Sequence, residues 1–490
     1  MKRLTQIETK ADSKKTAKTV APSVKKAATK IGGKKAATKA NYLSAKEIRS
    51  IAKANAKVMM ELEKRKNRRA DESEFVTEMK DKRNILEIDN LHTYFFTDQG
   101  VVKAVNGVSF NIPKGSTVGI VGESGCGKSV TSMSVMRLLQ GPQGQIYSGS
   151  IRFKSYDFKR DGEGNPIPIF KRKKNGKILF ETLKDKDGND VIGKDGKPVR
   201  VPAQKTNDSG VLMYEMEEKV FDIAKMPINE IHRIRGRQIS MIFQEPMTSL
   251  NPVFTIGNQL DEVVFIHTPG ATPEMAKRRS LEMLELVGIA APERVYNAYP
   301  HELSGGMRQR VMISMALACD PRLIIADEPT TALDVTIQAQ ILDLLRDLKD
   351  RINGSIMLIT HDLGIIAEMA DYVVVMYAGR VIEKGSVDEI FHNPLHPYTI
   401  GLQKSKPTLD SDSETLFNIP GNVPNPINMP NYCYFKDRCD HCVAECSGKY
   451  PPMIKVSDTH YVSCYRHAKE GQFVEYPKTV DPEVLLNELK

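Results

Sequence analysis

Residues 122–129 read GESGCGKS, which fits the phosphate-loop pattern G-x-x-x-x-G-K-[ST]. Each residue type there has a chemical reason. Gly122, Gly125 and Gly127 carry no Cβ, so the backbone can curl and turn its N–H groups inward onto a phosphate. Lys128 places a positive charge on the β and γ phosphates of a nucleotide, and Ser129 offers a hydroxyl to Mg2+. A second set of groups could complete that chemistry. Asp327 and Glu328 follow the apolar run 323–326 (LIIA), an acid pair at a strand tip that matches the Walker B pattern. The first acid can hold Mg2+, and the second can polarise an attacking water. Gln244 ends the run 239–243 (ISMIF), where it could reach Mg2+ and water. His361 follows 355–360 (SIMLIT).

These residues need strands and helices to hold them. The run 116–121 (STVGIV) predicts a buried strand, and 130–139 the helix opened by the phosphate loop, whose N-terminus attracts anions. Runs 239–243, 323–326 and 355–360 predict further buried strands, with a polar residue at each carboxyl end, where open α/β sheets place ligands. Leu303, Ser304, Gly305, Gly306 and Met307 open a helix predicted over 308–318, and Ser plus two glycines at a helix start make a second anion-binding terminus. Against each reading stands a plain structural use: a Gly-rich turn, a polar strand end, a helix cap, a structural histidine. Their joint occurrence favours nucleotide chemistry. Helical spacing also predicts amphipathic helices at 275–287 (Met275, Leu281, Leu284, Val287) and 336–350.

The 490 residues leave room for two or three domains. The net charge of +9 is uneven: residues 1–83 hold 24 Lys/Arg against 10 Asp/Glu, net +14, which leaves −5 for the remainder. Residues 1–42 are mostly Lys, Ala and Thr, with KKAATK at 25–30 and 34–39, a composition that cannot bury enough surface to fold. Residues 43–83 add helix formers, so 1–83 reads as a basic, partly helical arm. Its partner is either an anionic membrane surface, a nucleic acid, or nothing specific. No run approaches the roughly 18 apolar residues of a membrane span, and the N-terminus has no apolar signal segment. The expectation is a cytosolic protein whose membrane association, if any, is peripheral.

The folded domain is expected from about residue 84, with strands at 85–91 and 104–112. Between them lie Tyr94, Phe95 and Phe96, which are either core residues or a platform for an adenine ring. Residues 154–225 are rich in Lys, Asp, Gly and Asn, with turn pairs Asp161-Gly162, Asp187-Gly188 and Asp195-Gly196. They read as an inserted module of exposed hairpins, with strands at 178–182 and 199–201.

In order and type these motifs resemble the nucleotide-binding subunits of ABC transporters over about residues 84–395. The resemblance assigns Gln244 to the Q-loop, 303–310 (LSGGMRQR) to the signature, 331–334 (TALD) with Asp334 to the D-loop, and His361 to the switch histidine. It implies an α/β ABC-type fold: a RecA-like parallel-sheet core, an antiparallel β subdomain and a helical signature subdomain at 247–310, flanked by the basic arm and a Cys-bearing C-terminal extension at 396–490. Three stretches are similar to D-type ATP-binding subunits of oligopeptide/dipeptide importers: 91–110, 242–260 and 392–402. In that family Phe95 is the adenine-stacking aromatic. Glu123, Ser124, Cys126 and Val130 join the phosphate contacts, Ser129, Gln244 and Asp327 hold Mg2+, and Lys128, Gln244, Glu328 and His361 act in hydrolysis.

The resemblance further implies a head-to-tail ATPase heterodimer with an F-type subunit. ATP lies between one phosphate loop and the partner's signature. Two membrane permeases and an extracellular substrate-binding protein complete the complex, with this chain at the cytoplasmic face of the membrane. Gln244 and the residues up to Val253 are placed against a permease. The arm and the insertion, which roughly doubles the distance from Lys128 to Gln244, depart from the family layout. Competing readings are a soluble ABC ATPase acting on the ribosome or nucleic acid, a regulatory subunit without turnover, and an importer of another solute such as nickel.

Of seven cysteines, Cys433, Cys439, Cys446 and Cys464 follow C-x5-C-x6-C-x17-C, with Cys442 beside them. In a reducing compartment such a cluster favours metal ligation over disulfides. Four thiolates suit zinc or an iron–sulfur cluster. The family resemblance implies [4Fe–4S], with zinc or free thiols as alternatives.

Overall fold

The computed structural model describes residues 44–163, 165–183, 189–193, 195–206, 212–245, 249–331, 334–405 and 417–468. The low-complexity arm, the Asp187-Gly188 turn, Pro246 and the D-loop residues Ala332 and Leu333 lie outside the described residues.

An antiparallel sheet joins β1 (Val76–Thr77), β2 (Asn84–Phe96), β3 (Val101–Pro113), β5 (Gly144–Phe158) and β8 (Met216–Asp222) in the order β1-β8-β5-β2-β3. The second sheet contains β4 (Thr117–Val121), β9 (Ile239–Ile242), β10 (Leu323–Asp327), β11 (Ser355–Thr360), β12 (Tyr372–Tyr377), β13 (Arg380–Ser386), β14 (Ile454–Lys455) and β15 (Tyr461–Val462). Its order is β14-β15-β13-β12-β4-β11-β10-β9, and the run from β12 to β9 is parallel. Strands β4, β9, β10 and β11 are buried at every position, as expected when helices cover both faces of a parallel sheet. That burial explains their continuous apolar runs. The carboxyl ends of these four strands meet along one edge, and each carries one of the motifs read from the sequence.

The expected 247–310 helices appear as Ile256–His267, Pro273–Leu286, Pro292–Asn297 and Gly305–Leu317. Thr255, Thr272 and Ser304 cap three of them through side-chain oxygens. On Pro273–Leu286 the buried stripe is Ala276, Ser280, Met283 and Leu284, continuing to Val287. Met275 and Leu281 are only half-buried, because the helix is rotated slightly from the face that apolar spacing indicated.

Three boundaries differ from expectation. The fold begins before residue 84. Helix Ala45–Asn67 opens on a capping box between Ser44 and Glu47 and lays Leu62, Val58 and Met59 against Tyr94, Phe96 and Tyr147. Asn55 Nδ2 donates to Thr97 O at 2.7 Å, and Gln145 Nε2 donates to Glu63 at 2.7 Å. β1 then extends the antiparallel sheet. The charged surface of this helix masked its apolar stripe. The insertion is also shorter than 154–225, because β5 runs to Phe158 and pairs with β8 from Met216. Between them a ribbon of bridges includes β6 (Phe180–Thr182) paired with β7 (Arg200–Pro202), so the two expected short strands form one antiparallel pair. Finally, 417–468 is joined to the ATPase core: β15 pairs with β13, Ile427 bridges Val102, and Ile419, Cys433 and Phe435 share the main core.

Burying aromatic side chains such as Tyr94 and Phe96 is worth about 1.5–3 kcal/mol each. Deletion of residues 1–43 is therefore expected to leave the Tm unchanged, whereas deletion of 1–83 lowers it by several degrees. Equal Tm values for the two truncations, by calorimetry, would contradict the docking of helix Ala45–Asn67.

Candidate active site

The phosphate loop leaves β4 and enters helix Lys128–Val135. Its glycines are required by close contact. A Cβ on Gly122 would lie 2.2 Å from Met376 O, and one on Gly127, at φ +100°, 2.3 Å from Ala104 O. Gly379 N donates to Cys126 O at 2.9 Å, so the turn after β12 holds the loop from behind. Lys128 is buried and its Nζ donates to Gly122 O at 2.8 Å and Glu123 O at 3.1 Å. Ser124 and Gly125 face solvent, Cys126 is buried, and Val130 is half-buried.

Asp327 ends β10 only 4% exposed. Ser129 Oγ donates to its Oδ1 at 3.0 Å, and Ser132 Oγ to its Oδ2 at 3.2 Å. Burial raises the carboxyl pKa, and the charge of Glu328 adds to the rise, against the lowering by the two hydroxyls and Lys128. This donor set of hydroxyls and carboxylate suits a hard cation.

Glu328 is the meeting point of three strand tips. Its Oε2 accepts from Gln244 Nε2 at 3.0 Å and from Thr331 Oγ1 at 2.9 Å. His361 Nδ1 lies 3.2 Å from Oε1. Its backbone is left-handed, φ +49°, a conformation that costs a non-glycine residue on the order of 1–3 kcal/mol. The structure thus brings Gln244, Glu328 and His361 together, and separately Ser129 with Asp327. Gln244 is hydrogen-bonded to Glu328 here rather than to the Asp327 group.

The remaining expected residues are spread more widely. Tyr94 and Phe96 are buried under helix Ala45–Asn67 as core residues, while Phe95 is half-exposed. Ser304 caps helix Gly305–Leu317 by accepting from Met307 N at 3.3 Å. Leu303 is buried, Ser304 and Gly305 face solvent, and Gly306 and Met307 are half-buried. Asp334 caps helix Val335–Ile352 by accepting from Ile337 N at 3.0 Å.

Four participants were missed in the sequence. Ser132 lies one helical turn beyond Ser129, a spacing that could have indicated it. Thr331 was counted only in the 331–334 motif. Gln309 Nε2 donates to Pro329 O at 2.6 Å and ties the signature helix to the segment after Asp327. Tyr398, whose hydroxyl accepts from Glu123 N at 2.7 Å, lies in the family-like stretch 392–402 but was given no role there.

Cys433, Cys439, Cys446 and Cys464 line one cavity of about 10 Å3 with His396 and His441. Burial pushes the Cys433 thiol up to about 12 and raises those of Cys439 and Cys464. Among the described residues no three His, Cys, Asp or Glu side chains take up a metal-holding arrangement. The donor type suits a soft metal or cluster, but the cavity lacks the room and the thiols lack the spacing.

With its pKa raised, Asp327 loses folding free energy when it ionises, a cost present above its folded pKa and absent below the unfolded one. Asp327→Asn is expected to raise the Tm of nucleotide-free protein near pH 8 and to abolish Mg2+-dependent ATP binding. A lowered Tm at that pH, with Mg2+-dependent binding retained, would refute this account.

The chain is similar in sequence to known families and proteins. The family described as "ABC transporter" matches residues 105–187 and 203–331, and "Oligopeptide/dipeptide transporter, C-terminal region" matches 382–446. The chain is 43% identical to the oligopeptide transport ATP-binding protein AppD of Bacillus subtilis (strain 168), covering 79% of this chain and 98% of the relative. It is 45% identical to OppD of the same organism, covering 81% and 92%. With that organism's dipeptide transport ATP-binding protein DppD it shares 42% identity over 78% of this chain and 94% of the relative. The chain belongs to the family of ATP-binding proteins of oligopeptide/dipeptide ABC transporters.

Proposed function

We propose that this ABC ATPase powers uptake of oligopeptides or dipeptides across a membrane. The observation that carries the hydrolytic part is the group Gln244–Glu328–His361, built at three strand tips beside the Ser129–Asp327 pair. Lys128 binds the β and γ phosphates, exchanging the carbonyls of Gly122 and Glu123 for phosphate oxygens. The loop residues Gly122, Glu123, Ser124, Gly125, Cys126, Gly127, Ser129 and Val130 surround the phosphates, and Phe95 stacks on the adenine. Mg2+ held by Ser129, Asp327 and Gln244 would supply neutralisation of charge on the transferred phosphoryl group. Glu328 orients the attacking water and accepts its proton, and Gln244 and Thr331 hold that carboxylate in place. His361 turns from Glu328 to the γ phosphate of the bound ATP. These roles favour a turning-over ATPase over a regulatory subunit.

Leu303–Met307 presents Ser304 and Gly305 to solvent at a helix start, which supports their use on the ATP of a partner subunit. That partner is an F-type ATPase in a heterodimer, with Asp334 at the interface. Two permeases complete the complex with an extracellular substrate-binding protein. Among the described residues no helix is long and apolar enough to cross a membrane, consistent with a peripheral position at the cytoplasmic face. Val253, at the end of the segment proposed to meet a permease, is exposed, as are Phe243 and Phe254 on either side of it. A soft-metal or [4Fe–4S] site at Cys433, Cys439, Cys446 and Cys464, which line one cavity, would need local rearrangement, because the cavity as it stands is too small to hold it.

Lys128→Ala and Glu328→Gln are each expected to abolish ATP-driven uptake of labelled peptide in membrane vesicles. The Glu328 variant should keep ATP binding, and normal uptake by either would sink the assignment. Iron and sulfide in equal amounts in protein purified without oxygen would establish such a cluster. Neither iron nor zinc by elemental analysis would leave the four cysteines as plain thiols.

A further inference from the structure

Glu123 is the second residue of the phosphate loop, and its carboxylate is engaged from 315 positions away. Arg438 Nη1 donates to Glu123 Oε2 at 2.7 Å, and Nη2 to Oε1 at 3.0 Å, a two-pronged pairing. The guanidinium is otherwise fully used. Its Nε donates to Pro420 O at 2.9 Å, Nη2 to Ile419 O at 3.3 Å, and Nη1 to the Tyr377 hydroxyl at 3.3 Å. All five N–H donors of an arginine therefore have a place, and the side chain is only 5% exposed. Tyr377 closes β12, whose Met376 carbonyl presses on Gly122. Tyr398 holds the Glu123 amide and packs with Tyr377 and Phe435 at ring separations of 4.7–5.6 Å. Glu123 is thus gripped at its side chain by Arg438, at its N–H by Tyr398 and at its carbonyl by Lys128.

Arg438 belongs to neither the sheet nor the motifs. It ends the short 3-10 turn Lys436–Arg438, between Phe435 and Cys439, in the C-terminal extension. A surface ion pair would contribute little. This one is two-pronged, with the arginine buried and anchored at its far end by two backbone carbonyls. It fixes the first turn of the phosphate loop relative to the extension.

We propose that Arg438 is a positioning residue for nucleotide binding, and that the C-terminal extension braces the phosphate loop through its pairing with Glu123. The proposal rests on the reading that 122–129 binds ATP. An arginine is needed: the fork matches a carboxylate in two bonds, which a lysine ammonium cannot reproduce. The brace also gives the extension a direct mechanical route to the nucleotide. Any change in the turn 433–439 alters where Arg438 holds Glu123.

The test is equilibrium MgATP binding to the full chain by calorimetry, with amide hydrogen exchange read in parallel. Arg438→Ala is expected to weaken MgATP binding about tenfold and to speed exchange at 122–127, the loss of one charged two-pronged contact. Arg438→Lys is expected to recover part of the affinity. Glu123→Ala, which leaves the arginine its Ile419 and Pro420 contacts, should weaken binding similarly, and the double variant should be no worse than either single one. A role confined to the extension would instead speed exchange only at 417–440 and leave affinity unchanged, which would overturn the proposal, as would additive losses in the double variant. Should Arg438→Ala fail to fold, Arg438→Lys and Glu123→Ala carry the same test. Lys128→Ala separates the two readings. If it leaves ATP binding intact, the nucleotide site itself is wrong; if it abolishes binding while Glu123→Ala and Arg438→Lys do not weaken it, only the brace is.

Discussion

The structure depends on a backbone contact too close for side chains. At Gly122 and Gly127 the phosphate loop runs against the carbonyls of Met376 and Ala104, at separations no Cβ could share. The first comes from the end of β12 and the second from β3, so both sheets set the loop's position. β4 delivers the loop between β11 and β12, and pairing of Val121 with both Thr360 and Val375 fixes how far it projects. A loop held this way can aim N–H groups at a phosphate without reorganising on binding, which is the condition for strong anion binding.

The second constraint is the accumulation of negative charge at one strand tip. Asp327 and Glu328 are neighbours, and the first is nearly buried. Two devices keep this tolerable. The left-handed turn at Glu328 swings its side chain away from Asp327 toward Gln244 and His361, while the hydroxyls of Ser129 and Ser132 serve Asp327. The two carboxylates therefore acquire different surroundings and can take different parts in the chemistry, one toward a cation and one toward water. Local strain at Glu328 is held by packing of the strands behind it.

Two segments of different character are joined to the nucleotide-binding half. Helix Ala45–Asn67 is a packing element: its apolar stripe covers Tyr94 and Phe96 and leaves Phe95 half-exposed between them. Residues 417–468 combine both kinds of contact: Ile419, Cys433, Tyr434, Phe435 and Cys446 join the core, while Arg438 pairs with Glu123 and the Tyr434 hydroxyl accepts from Asn106. His460 pairs at 2.8 Å with the fully buried Glu383, which also accepts the amides of Leu395 and His396. Satisfied buried polar groups of this kind specify one register for β13 and β15.

Much of the site was legible in the sequence because local rules write it there. Phosphate loops need glycines at set intervals, parallel buried strands read as apolar runs, and ligand-binding residues fall at their carboxyl ends. The order of Gly122, Gln244, Asp327 and His361 along the chain therefore already described one edge of a sheet. The helix within 43–83 was legible as a helix but not as part of the fold, because its charges outnumber its narrow apolar stripe. Which of Tyr94, Phe95 and Phe96 stays accessible was decided by that helix docking on the hairpin. That Gln244 and His361 converge on Glu328, and that Arg438 reaches Glu123, followed only from strand order and from the return of the C-terminal segment. Such pairings join residues up to 315 positions apart. They carry no periodicity or spacing, because the distance between the partners is set by packing and not by the chain that connects them.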